Sequence, residues 1–303
     1  MRTPANCTET ETLSATPAPV VSPTPSSPNQ GPGTKGLRVF TAGHSFHVWV
    51  APILDEIAKS AGLSDHQIVG VLSIGASQVI DHWLAGADDG GSKLKSALTA
   101  GEIDVLTVSP IYLPDEGIRQ FASYGVKYNP NFRLAVLSLW VPNDEFVPHF
   151  PYKRRDYSQN DTAMSALHAA QDAYDRVLND YVALVNSKLH REVIQTVPAG
   201  QAVVALREKV IAGQAPGVTT QKDLFADTWG HPHEVIKALE GYCEFAVIYR
   251  RSPVGLPVPQ ILRESKIPVE NLAPLNRLLQ QLAQDAVIHD PMSGVTNSLS
   301  RNP

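Results

Sequence analysis

The chain is short of cysteine, of basic charge and of long apolar runs, and each shortage excludes a class of protein. Its two cysteines, Cys7 and Cys243, build no disulfide framework. Cys243 falls in an apolar helical stretch and reads as a small core residue. Twenty-five Lys and Arg stand against 30 Asp and Glu, for a net charge of −5 and a sequence pI near 6.0. That balance carries no electrostatic footprint for nucleic acid. No apolar run reaches the roughly 18 residues needed to span a bilayer. What the 303 residues do contain is core material, 43% hydrophobic against 18% charged, enough for one large globular domain or two small ones.

The first 36 residues are of a different composition. Thr, Ser, Pro, Glu and Gly dominate, as in PAPVVSPTPSSPNQGPG, and such a segment cannot bury enough surface to offset its ordering entropy. Residues 1–36 are therefore expected to be a disordered linker, 37–288 the folded domain, and 289–303 a frayed tail. Tethers of this kind often follow a secretion signal, and Ala5–Cys7 weakly resembles the end of a lipoprotein cleavage site. The expectation is an extracellular or periplasmic protein. The alternative is a cytoplasmic one with a loose N-terminus.

From Leu37 onward, short β-rich runs alternate with longer helical ones. Strands are predicted at Leu37–Thr41, Gln67–Ile74, Ile103–Ser109, Phe132–Trp140 and Val193–Val197, several of them apolar on both faces. Helices are predicted over His47–Ala61, Ser92–Ala100, Asp115–Tyr124, Thr162–Leu189, Gln201–Ala212, His233–Tyr249 and Asn271–Ala286. Five strands interleaved with helices imply a single doubly wound α/β/α sandwich around a mainly parallel sheet.

In such sheets the ligand sits outside the carboxyl ends of the strands, so the residues that follow each strand matter most. LRVFTAGHSFHVW, Leu37–Trp49, runs from a strand through Gly43, read as a tight turn, to Ser45, where a helix would begin. Backbone N–H groups and the helix dipole favour developing negative charge there. Gly75 follows the second strand, Ser109 and Tyr112 the third, and Asn143, Asp144 and Glu145 the fourth. Asp227, His231 and His233 precede the last long helix but one. This set supplies a nucleophile, a base, an orienting carboxylate and a glycine N–H.

The arrangement from Leu37 to about Pro257 resembles the SGNH, or GDSL-like, hydrolase family, in a branch where GHSF replaces GDS. The resemblance implies a flavodoxin-like fold and an esterase without cofactor or metal. Its substrate would be a small-molecule or glycan ester, such as an acyl or acetyl group on a carbohydrate. Ser45 matches the family's nucleophile, His231 its base and Asp227 its carboxylate. Ser45 and Gly75 match oxyanion donors. The family's Asp-x-x-His pair is one residue longer here, with Gly230 inserted. Its third block normally gives an asparagine, whereas DVLTVSPIYLPDEG has none. Either Ser109 or Tyr112 replaces that donor, or the hole consists of Ser45 and Gly75 alone. His44, Asp144 and Trp140 are candidate substrate-binding residues, and Trp49, Trp83 and Trp229 are further sugar-stacking candidates.

Two other readings stand beside this one. A non-catalytic glycan-binding module could keep the scaffold without the chemistry. A metal-dependent hydrolase could draw on His44, His47, Asp227, His231 and His233 at the same rim, although neither His44–His47 nor His231–His233 has the spacing of a known zinc motif. The absence of a G-x-S-x-G elbow argues against an α/β-hydrolase. The sequence sets neither the acyl group nor the oligomeric state.

Overall fold

The computed structural model describes residues 35–87, 90–141, 163–227, 229–295 and 299. Five strands, β1 (Arg38–Gly43), β2 (Gln67–Ser73), β3 (Val105–Val108), β4 (Arg133–Leu137) and β5 (Ile194–Val197), pair side by side in the order β2-β1-β3-β4-β5. Every pairing is parallel. The helices among the described residues are α1 (Val50–Ser60), α2 (Val79–Leu84), α3 (Gly91–Thr99), α4 (Glu116–Tyr128), α5 (Met164–Lys188), α6 (Ala199–Ile211), α7 (Glu234–Tyr249), α8 (Gln260–Arg263) and α9 (Val269–His289).

The inner strands β1, β3 and β4 are buried on both faces under helices, as a parallel sheet requires. Successive residues alternate between the two cores, as the period of two requires. Val39, Val105, Ala135 and Leu137 point to the layer of α1, α6, α7 and α9. Phe40, Leu106, Leu134 and Val136 point to the layer of α2, α3, α4 and the C-terminal half of α5. Each such side chain, fully buried, contributes about 1.5–3 kcal/mol. The α7 helix is buried along nearly its whole length and packs against α1, α6, α8 and α9. That is why most of its residues are apolar.

The strand order reverses direction at β1. The chain moves outward to β2 and then returns to β3, β4 and β5 on the other side. The connections diverge between β1 and β3, and in open parallel sheets ligands bind outside the carboxyl ends of the strands at such a switch point. Ser45 lies at the end of β1.

Several boundaries differ from expectation. The first strand runs to Gly43, so Gly43 closes a strand rather than making a tight turn, and α1 begins at Val50 instead of His47. The short helices α2 and α8, of six and four residues, were not anticipated, because so few residues show no helical periodicity. Of the tail expected to be frayed, residues 289–295 are packed onto the domain. Thr196 N–H of β5 donates to Met292 O at 2.9 Å, and Ser293 and Val295 are buried. The expected linker lies outside the described residues up to residue 34, as do Asn143, Asp144 and Glu145.

One tight contact anchors the layer of α2 and α4. Asp115 accepts hydrogen bonds from Gly117 N–H at the start of α4 and from Val79 and Ile80 N–H at the start of α2. This brings the backbone of α2 so close that a Cβ at Gly117 would lie 2.3–2.6 Å from Val79 and Ile80 backbone atoms. Gly117→Ala is expected to cost about 1–3 kcal/mol through overpacking. Thermal unfolding should show this as a Tm lower by several degrees, and an unchanged Tm would contradict the contact.

Candidate active site

After β1 the chain turns twice before α1. His47 and Val48 N–H both donate to His44 O, at 2.9 and 3.1 Å, which leaves Ser45 exposed on the outer side of the turn. Gly43 lies close beneath His47: a Cβ there would meet the His47 ring and Cβ at 3.0–3.4 Å, a tight approach. The Trp49 indole N–H donates to Ser45 O at 2.9 Å and fixes the turn from its far end.

The base arrives on the segment that leads into α7. His231 Nε2 is 2.8 Å from Ser45 Oγ, and His231 Nδ1 is 2.6 Å from Asp227 Oδ2. The other Asp227 oxygen, Oδ1, accepts the N–H groups of Trp229 and His231, at 2.9 and 3.2 Å. The extra residue relative to Asp-x-x-His is accommodated by Gly230, whose φ of +86° is readily available only to glycine. A backbone bond from Ala226 N–H to His231 O and another from His233 N–H to Leu224 O close the loop into a narrow staple, each at 2.8 Å. Ser45 therefore forms one hydrogen-bonded line with His231, 186 positions further along the chain, and with Asp227, four positions before that histidine.

The charge state of that line follows from its contacts. Partial burial works to raise the Asp227 pKa, but the hydrogen bonds from the His231 ring, the two backbone N–H groups and the adjacent imidazole outweigh it. The carboxylate is held below its ordinary range. An ionised Asp227 keeps the proton of His231 on Nδ1 and turns the Nε2 lone pair toward the serine hydroxyl.

Gly75 follows β2 on the same sheet edge, next to Gly43, since Ile74 N–H donates to Gly43 O at 3.1 Å. Gly75 and Ser45 are both exposed, and among the described residues neither backbone N–H has a hydrogen-bond partner. A Cβ at Gly75 would meet nothing within 4 Å, so glycine is not demanded there by packing. The strained residue of this turn is Ala76, with φ +51°. The turn is held by Ser77, whose hydroxyl donates to Ile74 O at 2.8 Å and meets His82 Nε2 at 2.7 Å.

Two proposed substrate-binding residues are corrected. His44 is buried beneath the site, with Nε2 3.1 Å from Ser109 Oγ, and Phe46 N–H donates to its Nδ1 at 3.3 Å. Trp140 is also buried. Its indole donates to Gly230 O at 3.0 Å, so it supports the base loop from within instead of presenting a sugar-stacking face. Trp83 packs edge-on against Phe121 and Tyr124. Ser109 is fully buried and held by His44, which gives the missing asparagine no exposed replacement at that position. The rim cluster of five metal ligands does not assemble. His47 is buried against Glu240 and Thr107, and His233 lies beside Glu234.

Sequence reasoning missed Phe46, whose ring lies 4.5 Å from the His231 ring and 5.6 Å from Trp140. The pairing of Ser77 with His82 was missed as well. A groove of about 450 Å³ lies elsewhere, among Asp175, Asn179, Gln201, Asp285 and Asp290, and shares no residue with the Ser45 cluster. Comparison with protein-family models, curated proteins and solved structures finds no match for this chain.

Burial pulls the pKa of His82 down to about 4, against a small opposing effect of Asp81. The folded protein thus refuses a proton that the unfolded chain accepts below about pH 6.5. Stability contributed by neutral His82 is present above pH 6.5 and is lost as the pH falls toward 4. Urea unfolding at pH 7, 6 and 5 should show a steeper loss for the wild type than for His82→Gln. The difference should approach about 1.4 kcal/mol per pH unit. Parallel profiles would contradict a buried neutral imidazole.

Proposed function

We propose that the protein is a serine ester hydrolase of the SGNH type. The observation that carries this reading is the line Asp227–His231–Ser45, with spacings of 2.6 and 2.8 Å, at the switch point of a parallel sheet. His231 takes the Ser45 proton as Oγ attacks the ester carbonyl, and an acyl-enzyme forms as the alcohol leaves with that proton. Water activated by the same imidazole then releases the acid and restores Ser45. Asp227 fixes the imidazole tautomer and stabilises the imidazolium. The free N–H groups of Ser45 and Gly75 are suited to receive the oxyanion, and one such donor is worth about 10²–10³ in rate. The exposed position of Ser45 suits an acyl or acetyl group carried on a larger molecule such as a glycan, acted on outside the cytoplasm.

A second reading, a glycan-binding module without turnover, is favoured by one observation: the third-block donor is missing and Ser109 is buried in its place. Fluorophosphonate labelling separates the two. A hydrolase is modified at Ser45 in the wild type and not in Ser45→Ala, and the variant loses short-chain aryl ester turnover by about 10³-fold or more with its fold intact. Asp227→Asn should retain the fold and lose about 10⁴ in kcat. Turnover by Ser45→Ala equal to wild type would end the proposal, and an unlabelled wild type would favour the binding module.

A further inference from the structure

Directly beneath the nucleophile turn lies a second cluster that the ester chemistry does not use. His47, Glu240 and Glu244 are fully buried, and each offers a ligand atom within 4.8 Å of the other two. The two glutamates sit one helical turn apart on α7 and share a face. His47 reaches them from the turn that carries Ser45. Its Nδ1 is 2.7 Å from Glu240 Oε1, and its Nε2 is 2.9 Å from Thr107 Oγ1.

The hydrogen bonding of this cluster is incomplete. Among the described residues, Glu240 Oε2 and both oxygens of Glu244 are buried without a hydrogen-bond partner. A buried carboxyl oxygen left unpaired is costly and rare. The Thr107 hydroxyl donates onward to Thr41 Oγ1 at 3.2 Å, so the hydrogen between His47 and Thr107 belongs to Nε2. Nδ1 is then a bare lone pair that faces a carboxyl oxygen, an arrangement satisfied by a proton on Glu240 or by a cation shared between the two atoms.

We propose that His47, Glu240 and Glu244 bind one divalent first-row transition ion, of which Zn²⁺ and Mn²⁺ are the natural probes. One imidazole and two carboxylates form a ligand set for such ions. Two carboxylates, one neutral imidazole and one dication sum to zero charge, which suits a fully buried site. Thr107 acts as the outer partner that fixes the tautomer and aims Nδ1 inward. Binding moves the Glu240 carboxylate back by about half an ångström, because ligand atoms around zinc stand further apart than 2.7 Å. The ion has no access to an ester carbonyl. Its effect is to clamp the Ser45 turn onto α7, the helix that follows the His231 loop. The proposal is independent of whether Ser45 is a nucleophile.

Without an ion the same groups are accommodated differently. Burial and the neighbouring Glu244 push Glu240 well up, burial raises Glu244 to about 8, and burial with the nearby histidines lowers His47 to about 3. That describes two protonated acids beside a neutral imidazole, and it is the outcome against which the proposal is tested.

The tag-free full chain is produced in medium supplemented in turn with zinc and with manganese, desalted against EDTA, and analysed for metal by mass spectrometry. The expected result is about one ion per chain with at least one of the two metals, released when the chain is unfolded in chelator. The loaded protein should melt about 5 °C or more above metal-free protein. Glu244→Gln prepared in the same way should hold none, and its Tm should not respond to either ion. Wild-type protein with less than about 0.1 ion per chain from both media would overturn the proposal in favour of the protonated pair. Equal metal in Glu244→Gln would overturn it by placing the ion elsewhere.

Discussion

The hydrogen bond between His47 and Glu240 joins the two halves of the site below the surface. His47 belongs to the turn that exposes Ser45, and Glu240 to the helix that begins just after the His231 loop. With both side chains at zero exposure, the contact is a buried hydrogen bond shielded from competing water. Here the geometry of Ser45 relative to His231 depends on where α7 sits against α1, and that contact fixes it along with the packing of Ile53 and Ile57 on Gly241.

The molecule holds two chains of similar form, hydroxyl to imidazole to carboxylate. One is Ser45–His231–Asp227 at the rim, and the other is Thr107–His47–Glu240 in the core. Solvent exposure separates them. At the rim the carboxylate is hydrogen-bonded and ionised, and the hydroxyl faces open space. In the core no substrate can reach the threonine, and burial disfavours charge on every member. The same connectivity is thus open to solvent in one place and sealed in the core in the other.

The strand pattern was legible from composition alone, because a strand buried on both faces must be apolar throughout, and all five were found within a few residues. The identity of Ser45, Asp227 and His231 was legible too, since a serine after the first strand and an Asp–His pair near the C-terminus leave a local trace. The roles of His44, His47 and Trp140 were not. Each sits where the rim was expected, yet a histidine or tryptophan next to a site reads the same whether it faces outward or inward. Orientation was decided by partners that no local pattern reveals: Ser109, Glu240 and Gly230.

The sequence by itself determined the fold class and the three residues of the hydrogen-bonded line, because hydrophobic periodicity and short motifs are properties of neighbouring positions. Only the tertiary structure decided the strand order, the burial of Trp140 and the meeting of His47 with two glutamates 193 and 197 positions away. Those depend on which faces pack together, and packing is settled by the whole core at once. Glu240 and Glu244 lie in a helix that also carries Glu234 and Lys237, and its charge pattern alone says nothing of what each faces.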